Sequence, residues 1–268
     1  MVTKLQITGM VIQILIAILA PLAIFAYLAL KKSLSWKSLG LGIVIFMLFT
    51  QILEKTFHLF VIDPSGPSLK WTDSSTAYII YGALAAGVFG EVGRFVGFRF
   101  LNKKRWEYKD GLSFGLGYGA IEAMLVSVFA GMSSLMFVRL INSGTLEQTV
   151  GASVPPEQLA FIKEQLLNTT FSLYVLGGFE RIPALFIHIA LSLLVLLAVR
   201  EGRYIYVIYA IGLHAIVNFV PAMYQNGMIQ QIWVIESIIA LLGIAAIIFI
   251  MKSKKLFKVS LDVSTSKK

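Results

Sequence analysis

The chain contains no cysteine, which excludes disulfide bridges and thiolate metal sites and leaves the redox compartment unread. Charge is scarce as well: 14% of residues are Asp, Glu, Lys or Arg, against about 25% in soluble domains. No Walker loop, RNA-binding motif or heptad array occurs, so nucleotide binding, RNA binding and coiled-coil assembly lack their sequence carriers. No lysine stands deep in the last apolar run, which disfavours a retinal protein. No internal repeat of the kind common in transporters is evident.

What the chain has instead is apolar length. Of its 268 residues 57% are hydrophobic, and the mean hydropathy is +0.81. A spanning helix needs about 20 mostly apolar residues, and windows of that kind fall near 7–30, 39–62, 76–101, 111–138, 179–199, 204–222 and 232–251. The expected fold is all-α, a polytopic membrane bundle of about seven helices forming one integral membrane domain over 1–268. The first run has no small-residue cleavage site and ends in Lys31 and Lys32, so it reads as a retained helix rather than a signal peptide.

Basic residues orient such a bundle, because Lys and Arg near helix ends are held in the cytoplasm. Lys31, Lys32 and Lys37 follow the first helix, Lys103, Lys104, Arg105 and Lys109 the third, and Arg200 and Arg203 the fifth. The tail 252–268 carries Lys252, Lys254, Lys255, Lys258, Lys267 and Lys268, whereas 63–75 has only Lys70, 139–178 has Arg139 and Lys163, and 223–231 has none. The alternation places the N-terminus outside and the C-terminus in the cytoplasm. The net charge of +9 is then topology plus attraction to anionic lipid, and calls for no nucleic acid partner. Asn168-Thr-Thr fits a glycosylation acceptor, which matters only on a eukaryotic secretory route. The one long connection, 139–178, holds Pro155-Pro156, apolar Leu159, Ile162, Leu166 and Leu167 at helical spacing, and a closing Gly177-Gly178. That spacing predicts a helix or packed loop on the outer side, lying on the membrane.

Charges inside a membrane helix cost about 2.5–3.5 kcal/mol even on the lenient insertion scale. Those unable to reach an end are Glu91, Arg94, Glu122, His188, and His214 with Asn218. Glu91 lies ten residues before Leu101, Glu122 eleven after Gly111, His188 eleven before Val199 and His214 ten after Tyr204. At about 1.5 Å per residue all four stand about 15–17 Å below the inner surface, near the middle of the apolar core. Asn218 shares a helix face with His214, and Arg94 with Glu91. Singly, each has a plain role: a histidine bonding a neighbouring helix, Glu91 and Arg94 as a neutralised pair, Glu122 in a glycine-rich packing stretch. Together, imidazoles and carboxylates at one level form the donor set of a catalytic zinc and its general base. Gln51, Glu54 and His58 make a second polar stripe, read as a hydrated cavity or a partner for Arg181. Arg181 itself precedes Pro183, which loosens the helix.

The order of motifs, Glu91-x-x-Arg94, Tyr118-x-x-x-Glu122, His188, then His214-x-x-x-Asn218, resembles the YhfC family of intramembrane metalloproteases, related to the PrsW and type II CAAX proteases. The stretch GLGYGAIEA is similar to that family's glycine-rich motif, and the motifs cover about 87–220. The resemblance implies an intramembrane zinc metalloprotease acting on a membrane-embedded or lipidated peptide. Glu91 would activate water, Arg94 would orient it, and His188 and His214 would bind zinc with Glu122 or Asn218. One departure stands out: where the wider group has two adjacent acids, this chain has Gly90-Glu91. A noncatalytic branch of the superfamily makes a membrane scaffold or chaperone with a relict metal site the second expectation, and a proton-coupled transporter the third.

Overall fold

The computed structural model describes residues 1–64, 66–101 and 106–265. The basic residues Lys103, Lys104 and Arg105 expected on the inner side, and Lys267 and Lys268 of the tail, lie outside the described residues. The chain runs as α1 (Lys4–Leu30), α2 (Trp36–Phe46), α3 (Lys55–Val61), α4 (Ser75–Phe100), α5 (Tyr108–Ala123), α6 (Ala130–Ser143), α7 (Leu146–Val150), α8 (Pro156–Asn168), α9 (Phe171–Phe179), α10 (Arg181–Glu201), α11 (Ile205–Gln225) and α12 (Ile232–Thr265). Two π-helical stretches, Met47–Glu54 and Met124–Phe129, join α2 to α3 and α5 to α6. Among the described residues there is no strand, only isolated bridges at Ile62–Leu69 and Leu69–Thr72.

Seven stretches are long and apolar enough to cross a membrane: Lys4–Leu30, Trp36–Val61, Ser75–Phe100, Tyr108–Ser143, Phe171–Glu201, Ile205–Tyr224 and Ile232–Phe257. They match the hydropathy windows, and the fifth begins eight residues earlier than its window. It is also interrupted, by a turn at Glu180 between α9 and α10. Pro183 explains the position, since a proline ring clashes with the carbonyl four residues back, here that of Phe179, and removes one helix hydrogen bond. Other boundaries follow ordinary capping chemistry. The N–H of Ala77 donates to Ser74 Oγ at the start of α4, and α6 ends at Gly144, whose φ of 71° is left-handed.

The helices form two compact units. The first comprises Met1–Ala23 and Glu122–Ile182. Its core gathers Val2, Met10, Val138 and Leu166. Val2 and Asn142 exchange two hydrogen bonds, of 2.8 and 3.0 Å, and Gln6 Nε2 donates to the carbonyls of Leu167 and Thr169. The long connection of the sequence therefore contains α7 and α8, and α8 buries Leu159 and Leu166 while leaving Phe161 exposed.

The second unit comprises Ile24–Ile121 and Pro183–Lys268, and it holds the buried polar residues discussed below. Small residues let its helices touch backbone to backbone. A Cβ added at Gly117 of α5 would stand 2.1 Å from the Leu39 carbonyl oxygen of α2, and one at Gly115 2.5 Å from Ile189 Cα of α10. The glycines of α5 are thus what allow α2 and α10 to approach it from two sides. At the ends of α2 and α5 a buried clasp closes the contact: Ser38 Oγ donates to Asp110 Oδ1 at 2.7 Å, and the Ser35 N–H to Ser113 Oγ at 2.8 Å.

Candidate functional site

Glu91 and Arg94 lie one turn apart on α4, and both side chains are completely buried. Arg94 Nη1 donates to Glu91 Oε1. The same oxygen accepts a hydrogen bond from His214 Nδ1 of α11 at 2.7 Å. On the other side Arg94 Nη2 donates to His188 Nδ1 of α10 at 2.7 Å, and Arg94 Nε to Ser192 Oγ, one turn further along α10, at 3.1 Å. The guanidinium carbon lies 3.8 Å from the centre of the Tyr118 ring of α5. The two imidazoles meet edge to face, with ring centroids 5.6 Å apart.

Donor chemistry fixes the tautomers. Arginine has no acceptor, so His188 Nδ1 must accept and His188 carries its proton on Nε2. A carboxylate has no proton to give, so His214 holds its proton on Nδ1 and keeps Nε2 as its second nitrogen. The two histidines are therefore held in opposite tautomers by the two ends of one ion pair.

Glycine also sets this geometry. A Cβ at Gly90 would come within 2.8 Å of His214 Cε1 and 2.9 Å of Nδ1, and one at Gly87 within 2.7 Å of the Ile211 carbonyl oxygen. These two positions, one turn apart, let α11 lie close enough to α4 for the imidazole to reach Glu91. The absent second acid of the motif thus has a spatial meaning: any side chain at 90 would occupy the His214 ring position.

The structure thus brings together Glu91, Arg94, His188 and His214, all in the second unit. Asn218 sits one turn beyond His214, and its Nδ2 donates to the His214 backbone carbonyl at 3.1 Å. Glu122 belongs to the first unit, where it is partly buried on the last turn of α5. Glu54 and His58 form their own pair at 3.5 Å, with His58 Nδ1 2.7 Å from Tyr81 Oη. Arg181 pairs with Glu180 at 2.8 Å. Sequence reasoning missed Ser192; the signal was its spacing of four from His188, which puts both on one helix face.

The donors were compared with what a catalytic metal needs. Among the described residues no group of three His, Cys, Asp or Glu side chains could hold a metal ion. Glu91 Oε2 is buried with no hydrogen-bond partner, and His214 retains Nε2, so two donors of suitable type exist. His188 Nδ1, however, receives the Arg94 guanidinium, and a cationic side chain stands between the carboxylate and that ring. As arranged, the residues do not fit the three-ligand site of a catalytic zinc.

Spans of this number, enclosing a buried Glu, Arg and two His side chains on three helices, define a multi-pass membrane protein with a polar centre inside the bundle. The chain belongs to the YhfC intramembrane metalloprotease family, whose model matches residues 12–239. It is also 37% identical over 243 residues to a protein of Bacillus subtilis (strain 168) titled "Uncharacterized membrane protein YhfC", covering 91% of this chain and 94% of that one. No solved structure gives a significant match.

Proposed function

We propose that the chain is an intramembrane peptidase that hydrolyses a peptide bond in a membrane-embedded or lipidated substrate. The observation that carries this reading is Glu91 Oε2, a buried carboxylate oxygen with no hydrogen-bond partner. An unmade bond of this kind costs about 1–3 kcal/mol, and the atom is free to accept a proton from an attacking water. Arg94 and His214 hold the other oxygen and so fix the carboxylate plane. His188, protonated on Nε2, is a donor of the kind that stabilises the oxyanion formed on the substrate carbonyl. The family name points to a metal. Zinc would be asked of His188 and His214 with Glu122 or Asn218, a set this arrangement does not assemble, and no step is assigned to it.

The loop charges further place the N-terminus outside and the C-terminus in the cytoplasm. Impermeant thiol labelling of Ser143→Cys, but not of Asn102→Cys, in intact cells is the expected result, and the reverse would invert the topology; position 102 lies outside the described residues.

A noncatalytic scaffold is the second reading, favoured by the Arg94 network, which neutralises Glu91 without any ligand. The deciding experiment uses purified protein in lipid nanodiscs and a library of membrane peptides. Glu91→Gln should keep the fold and lower cleavage by about 10²–10⁴. If the parent cleaves nothing and Glu91→Gln still rescues the phenotype of a deletion strain, the scaffold stands and the peptidase falls.

A further inference from the structure

Arg94 reaches four groups that a cation seeks: the Glu91 carboxylate, the His188 Nδ1 lone pair, the Ser192 hydroxyl and the face of Tyr118. It is completely buried, and all three kinds of guanidinium nitrogen are engaged. Because Gly90 faces the His214 ring with no room for a side chain, this turn of α4 supplies one carboxylate. The single negative charge of Glu91 is cancelled by Arg94, and His188, accepting at Nδ1, is neutral. A divalent ion placed between Glu91 and His188 would add two positive charges beside a guanidinium in a poorly solvated bundle, where like charges repel strongly.

We infer that Arg94 is the resident cation of this centre, and that the Arg94 guanidinium and a divalent metal ion are mutually exclusive occupants of the space between Glu91 and His188. Metal binding then requires Arg94 to leave His188 Nδ1, which frees the nitrogen the donor set lacks. The centre has two states, one closed on arginine and one open to metal. The apparent metal affinity of the parent is lowered by the fraction of molecules closed on arginine. This exclusion is independent of whether the centre hydrolyses peptides.

The test measures zinc affinity of the full chain in nanodiscs, by competition with a chromophoric chelator, and activity is not its readout. Arg94→Gln keeps a polar side chain but removes the charge, and should tighten zinc binding about tenfold or more, the factor expected if the arginine state outweighs the open state about ten to one. Arg94→Lys retains the charge and should stay as weak as the parent. Adding His214→Ala to Arg94→Gln should abolish the tight site. Ser192→Ala removes only the bond to Arg94 Nε, disturbs the fold least, and should tighten zinc by a smaller factor. Zinc affinity in folded Arg94→Gln that is equal to or weaker than in the parent would overturn the proposal, as would the absence of zinc binding in every variant. If Arg94→Gln does not fold, an unchanged affinity in Ser192→Ala overturns it alone. Failure of peptide cleavage with the affinity order intact would remove the peptidase reading and leave the exclusion standing.

Discussion

His214 Nδ1 lies 2.7 Å from Glu91 Oε1, although the two residues are separated by 123 positions in the chain. The bond ties α11 to α4 at the point where Arg94 ties α4 to α10, so one carboxylate oxygen anchors two helices.

Removing that carboxylate should therefore cost stability as well as chemistry. Glu91→Ala leaves the buried Arg94 without its counter-charge, and breaking a buried pair in this way costs about 3–5 kcal/mol. His214→Ala leaves Glu91 its arginine and should cost about 1–3 kcal/mol, the penalty of one lost buried hydrogen bond. The double variant Glu91→Ala with Arg94→Ala should be more stable than the sum of the singles predicts. Denaturant unfolding in mixed micelles measures all four proteins, and strict additivity would show that the pair is not coupled.

Gly90 should tolerate nothing larger. An alanine there puts its Cβ 2.8–2.9 Å from the His214 ring, so the imidazole must swing away from Glu91. The expected loss is about 1–3 kcal/mol, typical of overpacking, with a changed tautomer of His214 in nitrogen NMR of labelled protein. Gly90→Asp, which rebuilds the acidic pair of the wider group, should be no better than Gly90→Ala, because the obstacle is the ring and not the charge. A His214 signal unchanged by Gly90→Ala would refute this account of the glycine.

The seven spans were legible because a membrane segment is written in composition, and composition survives any detail of packing. Glu91, Arg94, His188 and His214 were legible for the opposite reason: in a chain this apolar, an ionisable residue far from a helix end stands out. What remained hidden depends on geometry that residue types do not encode. Ser192 is an ordinary residue in a membrane helix until Arg94 is seen beside it. The π-helical turns of Met47–Glu54 and Met124–Phe129 use residues that would suit an α-helix equally well. The equal depth of four donors was readable from spacing, but not that Glu122 groups with the first unit, nor that Arg94 lies between Glu91 and His188.

The glycines of α5 and α2 offer a paired test of the helix contacts. A methyl at Gly117 would meet the Leu39 carbonyl oxygen at 2.1 Å, and one at Gly42 the Phe114 carbonyl oxygen at 2.2 Å, whereas Gly40, in the same helix as Gly42, has nothing within 4 Å. Gly117→Ala and Gly42→Ala must separate α2 from α5 and should each lose at least about 1–3 kcal/mol. Gly40→Ala should be neutral or gain up to about 1 kcal/mol from helix propensity. Melting curves of the three variants in one detergent decide it; equal destabilisation at Gly40 and Gly42 would mean that backbone propensity and not contact governs these positions.

Proximity of the two histidines can be tested without any assumption about metal or catalysis. Their rings are 5.6 Å apart at the centroids, and the chain has no cysteine of its own, so a pair introduced as His188→Cys and His214→Cys is unique. A direct disulfide needs Cα atoms within about 7 Å, a closer approach than two imidazoles in edge contact require, so a short bifunctional thiol reagent is the better probe. Cross-linking should be efficient in folded protein, abolished after denaturation, and weakened when Gly90→Ala is added, since that change displaces α11 at its contact with α4. The cross-link closes residues 188–214 into a loop through the turn between α10 and α11, which proteolysis followed by mass spectrometry identifies directly. Failure of the pair to react with reagents of two lengths, in protein shown to be folded by its melting transition, would separate His188 from His214 and dismantle the centre on which the peptidase reading and the metal exclusion both stand.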